Sequence, residues 1–371
     1  MYLKSLELLQ FKNHEKSRLQ FSAEINCIVG LNGSGKTNIL DGIHYLSLTK
    51  SAVQSSDALN VQHGKEFFAI KGQFELTGKP LEVRCAVEMG KRKQIYQNGK
   101  VLDKTSEHVG LIPLVLIAPD DTELIKGGSE GRRKFFDGLL AQLDRSYLDA
   151  LIRYHHFLKQ RNSLLKKFAE TGRRDLTLLD TYDSELIGLS KILYKRRAEL
   201  LTEVAPMLQD HYEEISQGQE KVTITYDTEV PKEDFGEYFK SLRKKDLITK
   251  NSNAGIHKDD FNFQIGDHPI RKIGSQGQQK SFIIALKLAQ FQVFEQQKGE
   301  KPILLLDDIF DKLDDQRIAA MMDLISKHNF GQIFLTDARP ERSKKILKEL
   351  DSEVVFFEVD KGVLKKGAEA P

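Results

Sequence analysis

The chain has 371 residues, enough for two domains or one large split one, and its 56 Lys and Arg nearly cancel 54 Asp and Glu to leave +2, so any surface for nucleic acid must be local. Its two cysteines, Cys27 and Cys85, lie in apolar runs without metal-ligand spacing, which excludes a disulfide scaffold and points to buried thiols in a reducing compartment. No apolar run approaches the roughly 18 residues of a membrane span, and the start, MYLKSLELLQF, alternates like a strand without a cleavable leader, so a soluble, cytoplasmic protein without a membrane partner is expected.

Short alternating runs fill the chain up to about residue 118 and predict a mixed sheet around one helix. The apolar run Ile25 to Val29 reads as a buried strand. It feeds Gly30, Leu31, Asn32, Gly33, Ser34, Gly35, Lys36 and Thr37, which fit the phosphate-loop pattern G-x-x-x-x-G-K-[ST]. Glycines let backbone N–H groups converge on phosphate oxygens, Lys36 reaches the β- and γ-phosphates, and the Thr37 hydroxyl can ligate Mg²⁺. The following segment, Asn38 to Leu48, would turn its helix N-terminus toward the same anion.

From Asp120 to about Asn251 the pattern is helical. One helix is expected around Leu148 to Leu158, and another from about Leu186 to Ile215, interrupted or kinked at Pro206. Between Glu130 and Asp175 eleven Lys or Arg face six Asp or Glu, and Arg132, Arg133, Lys134, Lys166, Lys167, Arg173 and Arg174 belong to this local excess. Three segments follow in sequence: 1–118, an N-terminal part with the phosphate loop; 119–251, a mainly helical part; and 252–371, a C-terminal part alternating strands and helices.

The last segment carries the complement of the phosphate loop. Pro302 to Asp308, PILLLDD, is an apolar strand ending in two carboxylates, the form of a Walker B strand. Asp307 would hold Mg²⁺ and Asp308 would polarise an attacking water. Upstream, Gly274 to Gln292 is a polar turn leading into an amphipathic helix. His257 beside Asp259 and Asp260 lacks metal spacing.

Ser275-Gln276-Gly277-Gln278-Gln279 resembles the signature motif of ABC-type ATPases, and LLLDDIFDKLDDQR resembles their Walker B and the D-loop around Asp311, Lys312, Leu313 and Asp314. Together with FKNHEKSRLQF, GGSEGRRKFFD (Gly127 to Asp137) and AGIHKDDFNF (Ala254 to Phe263), the order and spacing resemble the RecF family of bacterial recombination and replication-repair proteins over essentially the whole chain. Ile256 and Lys258 stand where relatives usually carry proline and arginine.

That resemblance implies an α/β fold: an ABC-type, SMC- and Rad50-like P-loop ATPase head split in sequence, with an inserted mostly helical lobe and no long coiled coil. It implies ATP and Mg²⁺ as ligands, and an ATP-dependent homodimer in which one copy's Ser275, with Gly277 and Gln278, caps the γ-phosphate held by the other. Lys36, Asp307, Asp308 and Ser275 would carry a weak, DNA-dependent ATPase used as a switch. It also implies partners: single-stranded, duplex or gapped DNA, and the mediators RecR and RecO, in support of recombinase loading and the SOS response. Lys12, Asn13 and His14 would lie in the loop that approaches nucleotide in such heads, and Thr336 and Asp337 at the place of the switch residue, usually a histidine. The other readings are a nucleotide-binding subunit of an ABC transporter, whose Walker B ends in glutamate, a small-molecule P-loop kinase, and a non-hydrolysing repair scaffold.

Overall fold

The computed structural model describes residues 1–371 apart from 173, 174, 217, 219, 312–314, 329, 349, 351, 370 and 371, and describes 311, 315, 316, 325–328 and 364–369 by their backbone alone. The chain divides into two compact units: Met1–Asp121 with His211–Gly218 and Lys280–Pro371, and Thr122–Asp210 with Gln219–Gln279.

In the first unit the strand expected at 25–29 occupies the interior of a six-stranded sheet. Its order is Val363–Glu369, Val354–Asp360, Ile25–Val29, Ile333–Asp337, Ile303–Leu306 and Leu114–Ile117. All neighbours are parallel except the antiparallel edge strand Val363–Glu369. Ile25–Val29, Ile303–Leu306 and Ile333–Asp337 are buried at every position, which explains why none of them alternates apolar with polar residues: a parallel strand covered on both faces has no solvent side to alternate toward.

A second, antiparallel six-stranded sheet runs His14–Gln20, Tyr2–Phe11, Phe67–Leu76, Lys79–Glu88, Gln94–Gln97 and Lys100–Val101. The helix Lys36–Leu48 packs against strands of both sheets. Its Ile39, Leu40, Ile43 and Leu46 join Leu6, Leu8, Phe68 and Ile70 of one sheet and Ile28, Leu305 and Phe334 of the other in a single core. Each such fully buried side chain stabilises the fold by about 1.5–3 kcal/mol relative to exposure. The phosphate loop is thereby anchored at both ends in a packed core.

The second unit contains the helices Ser129–Leu143 and Arg145–Thr171, most of Leu176–Ser216, shorter helices, and a three-stranded sheet ordered His268–Pro269, Asp260–Ile265, Val222–Asp227. The strand Val222–Asp227 falls within the stretch read as helical. Pro206 does not interrupt its helix, which runs 41 residues and begins ten residues before Leu186. The proline removes one backbone bond, but Leu201, Val204, Leu208 and Tyr212 on the same face are all buried, and that packing keeps the chain helical. Of the D-loop residues, Asp311 closes the 3-10 turn Ile309–Asp311, and Lys312, Leu313 and Asp314 lie outside the described residues. Among the described residues no helix is long and apolar enough to cross a membrane.

Candidate nucleotide site

Strand register assembles the site. Val29, the last residue before the phosphate loop, is opposite Asp337, and Leu335 is opposite Leu306, so the loop and the Walker B carboxylates emerge from one end of the sheet with a single strand between them. Gly30 has φ +156° and approaches the Val359 carbonyl so closely that a Cβ would lie 2.3 Å from it. Only glycine fits there.

Lys36 heads its helix and folds back over the loop, donating from Nζ to the carbonyls of Gly30 (2.8 Å) and Leu31 (3.1 Å). Thr37 Oγ1 donates to Asp307 Oδ1 at 3.0 Å, and Thr336 Oγ1 donates to the same oxygen at 2.7 Å. The Asp308 amide donates to Thr336 Oγ1 at 2.9 Å, and Asp308 itself sits in the left-handed region at φ +47°. A cavity of about 300 Å³ opens here, lined by Asn32, Gly33, Lys36, Thr37, Asp307, Asp308 and Thr336 among others. Burial raises the Asp307 pKa, opposed by the hydrogen bonds from Thr336 and Thr37 and by the Lys36 charge. Ser34 contributes a buried hydroxyl that has no hydrogen-bond partner among the described residues, inside a loop built to receive phosphate oxygens.

The underside of the loop is braced from two directions. Asn13 Nδ2 donates to Ser34 O (3.1 Å), and Asn38 Nδ2 donates to Asn13 Oδ1 (2.7 Å). His14, fully buried, places Nε2 against Gly35 O (3.2 Å) and Nδ1 against Gly362 O (3.1 Å), while the Gly362 amide donates to Ser34 O (2.9 Å). Burial lowers the His14 pKa, partly offset by its backbone bonds to Gly35 and Gly362. Lys12 is held by Asp41 at 2.6 Å.

The paired hydroxyl and carboxylate of Thr37 and Asp307 suit Mg²⁺, a hard ion that takes one or two protein oxygens and fills its shell with phosphate and water. No group of three or more His, Cys, Asp or Glu that could hold an ion by itself occurs among the described residues. His257 serves the fold: Nδ1 meets the Tyr154 hydroxyl at 2.7 Å and Nε2 meets Ser252 O at 3.1 Å.

The signature residues belong to the second unit. Ser275, exposed, accepts at Oγ from the Gln278 amide (3.2 Å), and Gln278 Oε1 accepts from the Ser275 amide (2.7 Å). This reciprocal capping box fixes the start of the helix Gln276–Lys298, with Gly277 inside its first turn.

The basic residues expected at a DNA surface divide. Arg132 is spent internally: Nε and Nη2 grip Asp260 at 2.7 and 2.8 Å, and Nη1 reaches the carbonyls of Leu124 and Gly127. Arg133 donates to Asp259 O at 2.5 Å, and Lys134 pairs with Glu130. The segments Gly127 to Asp137 and Ala254 to Phe263 are therefore tied to one another, and Arg197 bonds both Asp137 (2.9 Å) and Asp259 (3.3 Å). Ile256 is buried and Lys258 exposed. Lys166 and Lys167 face solvent; Arg173 and Arg174 lie outside the described residues.

At the switch position the two neighbours behave differently. Asp337 is fully buried and bonds Arg342 Nη2 (2.5 Å) and the Ser343 hydroxyl, whereas Thr336 lines the cavity. The bridging role of Thr336 leaves no local mark in the sequence, because it depends on which strand lies between the other two.

The family model RecF/RecN/SMC N terminal domain matches residues 2–363. The DNA replication and repair protein RecF of Cytophaga hutchinsonii is 44% identical over 366 residues, 99% of this chain and 97% of that protein. The chain belongs to the RecF family. Among solved structures, the recombination mediator protein RecF-ATP in the RecFOR pathway superposes with a TM-score of 0.89 at 29% identity, covering 99% of this chain and 98% of that one. An Smc head bound to the C-winged helix domain of ScpA, 18% identical with a TM-score of 0.57 over 98% of this chain and 96% of that one, shares the fold. The fold is that of a RecF- and SMC-type ABC ATPase head, without a long coiled coil among the described residues.

Proposed function

We propose that the chain is an ATP-dependent DNA-binding protein of recombinational repair and replication-fork maintenance, and that ATP drives two copies together around DNA at gaps or junctions. The carrying observation is the bond between Thr37 and Asp307 beside a braced phosphate loop. Relatives named as a replication and repair protein and as a mediator with ATP in the RecFOR pathway support the biological setting. RecR and RecO are the partners the family suggests, in a cytoplasmic process that loads recombinase and sustains SOS induction.

Lys36 and the loop from Gly30 to Thr37 grip the triphosphate, and Thr37 and Asp307 would hold Mg²⁺, which would supply neutralisation of phosphate charge. Asp308, at the rim of the cavity, orients water for a slow hydrolysis that resets the clamp. The Ser275 helix start of the second copy caps the γ-phosphate. Moving a dimer from about 1% to 99% populated needs about 5.5 kcal/mol of preference. Charge-assisted hydrogen bonds at about 1.5–3 kcal/mol each, made at two symmetric sites, suffice. After hydrolysis that preference is gone and the copies separate.

Sedimentation with ATP, ADP and no nucleotide tests this. ATP is expected to give the dimer, and Lys36→Met and Ser275→Arg are expected to stay monomeric. A parent protein whose mass ignores ATP ends the proposal.

A further inference from the structure

Resting on that reading of the site, we infer that Thr336 is its positioning residue: the buried hydroxyl sets the Asp307 carboxylate for Mg²⁺ and the Asp308 backbone for water, and Asp337 serves the fold instead.

A threonine hydroxyl has one proton to give and lone pairs to accept with. Here the proton goes to Asp307 Oδ1 (2.7 Å) and a lone pair takes the Asp308 amide (2.9 Å). Thr336 is fully buried on the strand between the phosphate-loop and Walker B strands, so water does not substitute for either bond. The β-branched side chain has few rotamers, which keeps the hydroxyl aimed. Two consequences follow at the cavity.

The first concerns Asp307. Thr37, in the first turn of its helix, and Thr336, near the end of its strand, donate to one and the same oxygen, Oδ1. A ligand competing for Thr37 Oγ1 leaves Thr336 as the group that fixes the carboxylate rotamer. The second concerns Asp308, whose φ of +47° is uncommon for a non-glycine residue. The bond from its amide to Thr336 ties down this turn, and the turn decides where the Asp308 carboxylate points.

Asp337 is turned the other way. Its carboxylate takes Arg342 and Ser343 together with the Arg339 amide (3.1 Å), and Arg342 also donates to Phe310 O (3.2 Å). These bonds fasten the helix Pro340–Leu347 to the end of the strand. Nothing in them reaches the cavity, which Thr336 lines and Asp337 does not.

The test compares Thr336→Val, which keeps the shape and removes the hydroxyl, with Thr336→Ser, which returns it, and with Asp337→Asn. Calorimetric titration with ATP is run in EDTA and across a Mg²⁺ series, beside phosphate release and melting temperature. Thr336→Val is expected to bind ATP in EDTA within about twofold of the parent, while the Mg²⁺ needed for half-maximal tightening and the loss of kcat each change by about tenfold or more. Thr336→Ser restores both. Asp337→Asn lowers the melting temperature and leaves the Mg²⁺ requirement unchanged. Three results overturn the assignment: a parental Mg²⁺ requirement in Thr336→Val, loss of its ATP binding in EDTA, or the same Mg²⁺ shift in Asp337→Asn. A failure of the wider functional reading is separate, since it shows as a parent protein that does not bind ATP at all.

Discussion

Thr37 and Asp307, 270 positions apart, share a 3.0 Å hydrogen bond at the end of one mostly parallel sheet. That bond makes a loop and a strand into one site, and it separates the duties of the residues around it. In the proposed function Lys36 supplies charge to the phosphates and Asp308 acts on water.

Lys36→Met is therefore expected to weaken ATP binding by about 3 kcal/mol or more, on the order of a hundredfold, because two charged hydrogen bonds to phosphate disappear. Asp308→Asn should bind ATP within a few-fold of the parent and lose about 10²-fold or more in kcat, the usual cost of removing a group that handles the proton. Calorimetry and phosphate release separate the two effects. Equal losses of binding in both variants would refute this division of labour.

The basic residues of the second unit should also separate. Lys166→Glu with Lys167→Glu is expected to weaken DNA binding, flatten its salt dependence and leave the melting temperature unchanged, since both side chains face solvent. Arg161→Ala should destabilise the unit by about 3–5 kcal/mol. Its guanidinium is fully buried between Asp183 (2.5 Å) and Asp246 (2.8 Å), and its removal leaves Asp183 with Arg243 as its cation and takes the guanidinium from the buried Asp246, which keeps its bonds from Asn253. Arg132→Ala, with Asp260 left half-buried, should fall between these extremes. Filter binding across a salt series and thermal melts read out both axes.

Sequence made the phosphate loop and the Walker B strand legible because each is a local pattern whose chemistry depends on residues a few positions apart. What joins them was not legible. The strand Ile333–Asp337 lies between the two, and strand order is a long-range property that periodicity does not carry. Thr336 and Asp337 are adjacent in sequence, yet one faces the cavity and the other a helix, because alternate strand residues point to opposite faces. Arg132 looked like surface charge for the same reason: its partner Asp260 stands 128 residues away. At Pro206 the local rule allowed an interruption or a kink, and the packing of the buried face carried the helix on without an interruption.

Stability should fall on acidification through a defined window. Burial lowers the His257 pKa from the usual 6.5 to about 4, with the Ser252 carbonyl opposing. Nε2 donates to that carbonyl, so Nδ1 accepts from the Tyr154 hydroxyl and the neutral ring is already satisfied. Between about pH 6.5 and 4 the unfolded chain binds this proton and the folded chain does not. The contribution is thus complete above 6.5 and lost progressively toward 4, up to about 3 kcal/mol. His257→Gln should flatten the melting-temperature profile of the second unit over this range. An unchanged slope would assign the acid sensitivity to other groups.

Gly362 offers the sharpest check on how the phosphate loop is held. It turns the hairpin between Val354–Asp360 and Val363–Glu369 at φ +79°, and a Cβ there would lie 2.4 Å from the Asn13 carbonyl. Its amide and carbonyl bond Ser34 O and His14 Nδ1, so the hairpin turn supports the loop from beneath although it carries no nucleotide motif. Gly362→Ala must push the turn away from Asn13, and Asn13 in turn holds Ser34 O and Asn38. The core beneath the sheet is untouched by that shift. Melting temperature is expected to drop only modestly, by about 1–2 kcal/mol of stability for the strained turn, while ATP affinity falls about tenfold or more as the loop's backbone amides lose their alignment. Parental affinity in Gly362→Ala would show that the loop keeps its shape without the hairpin.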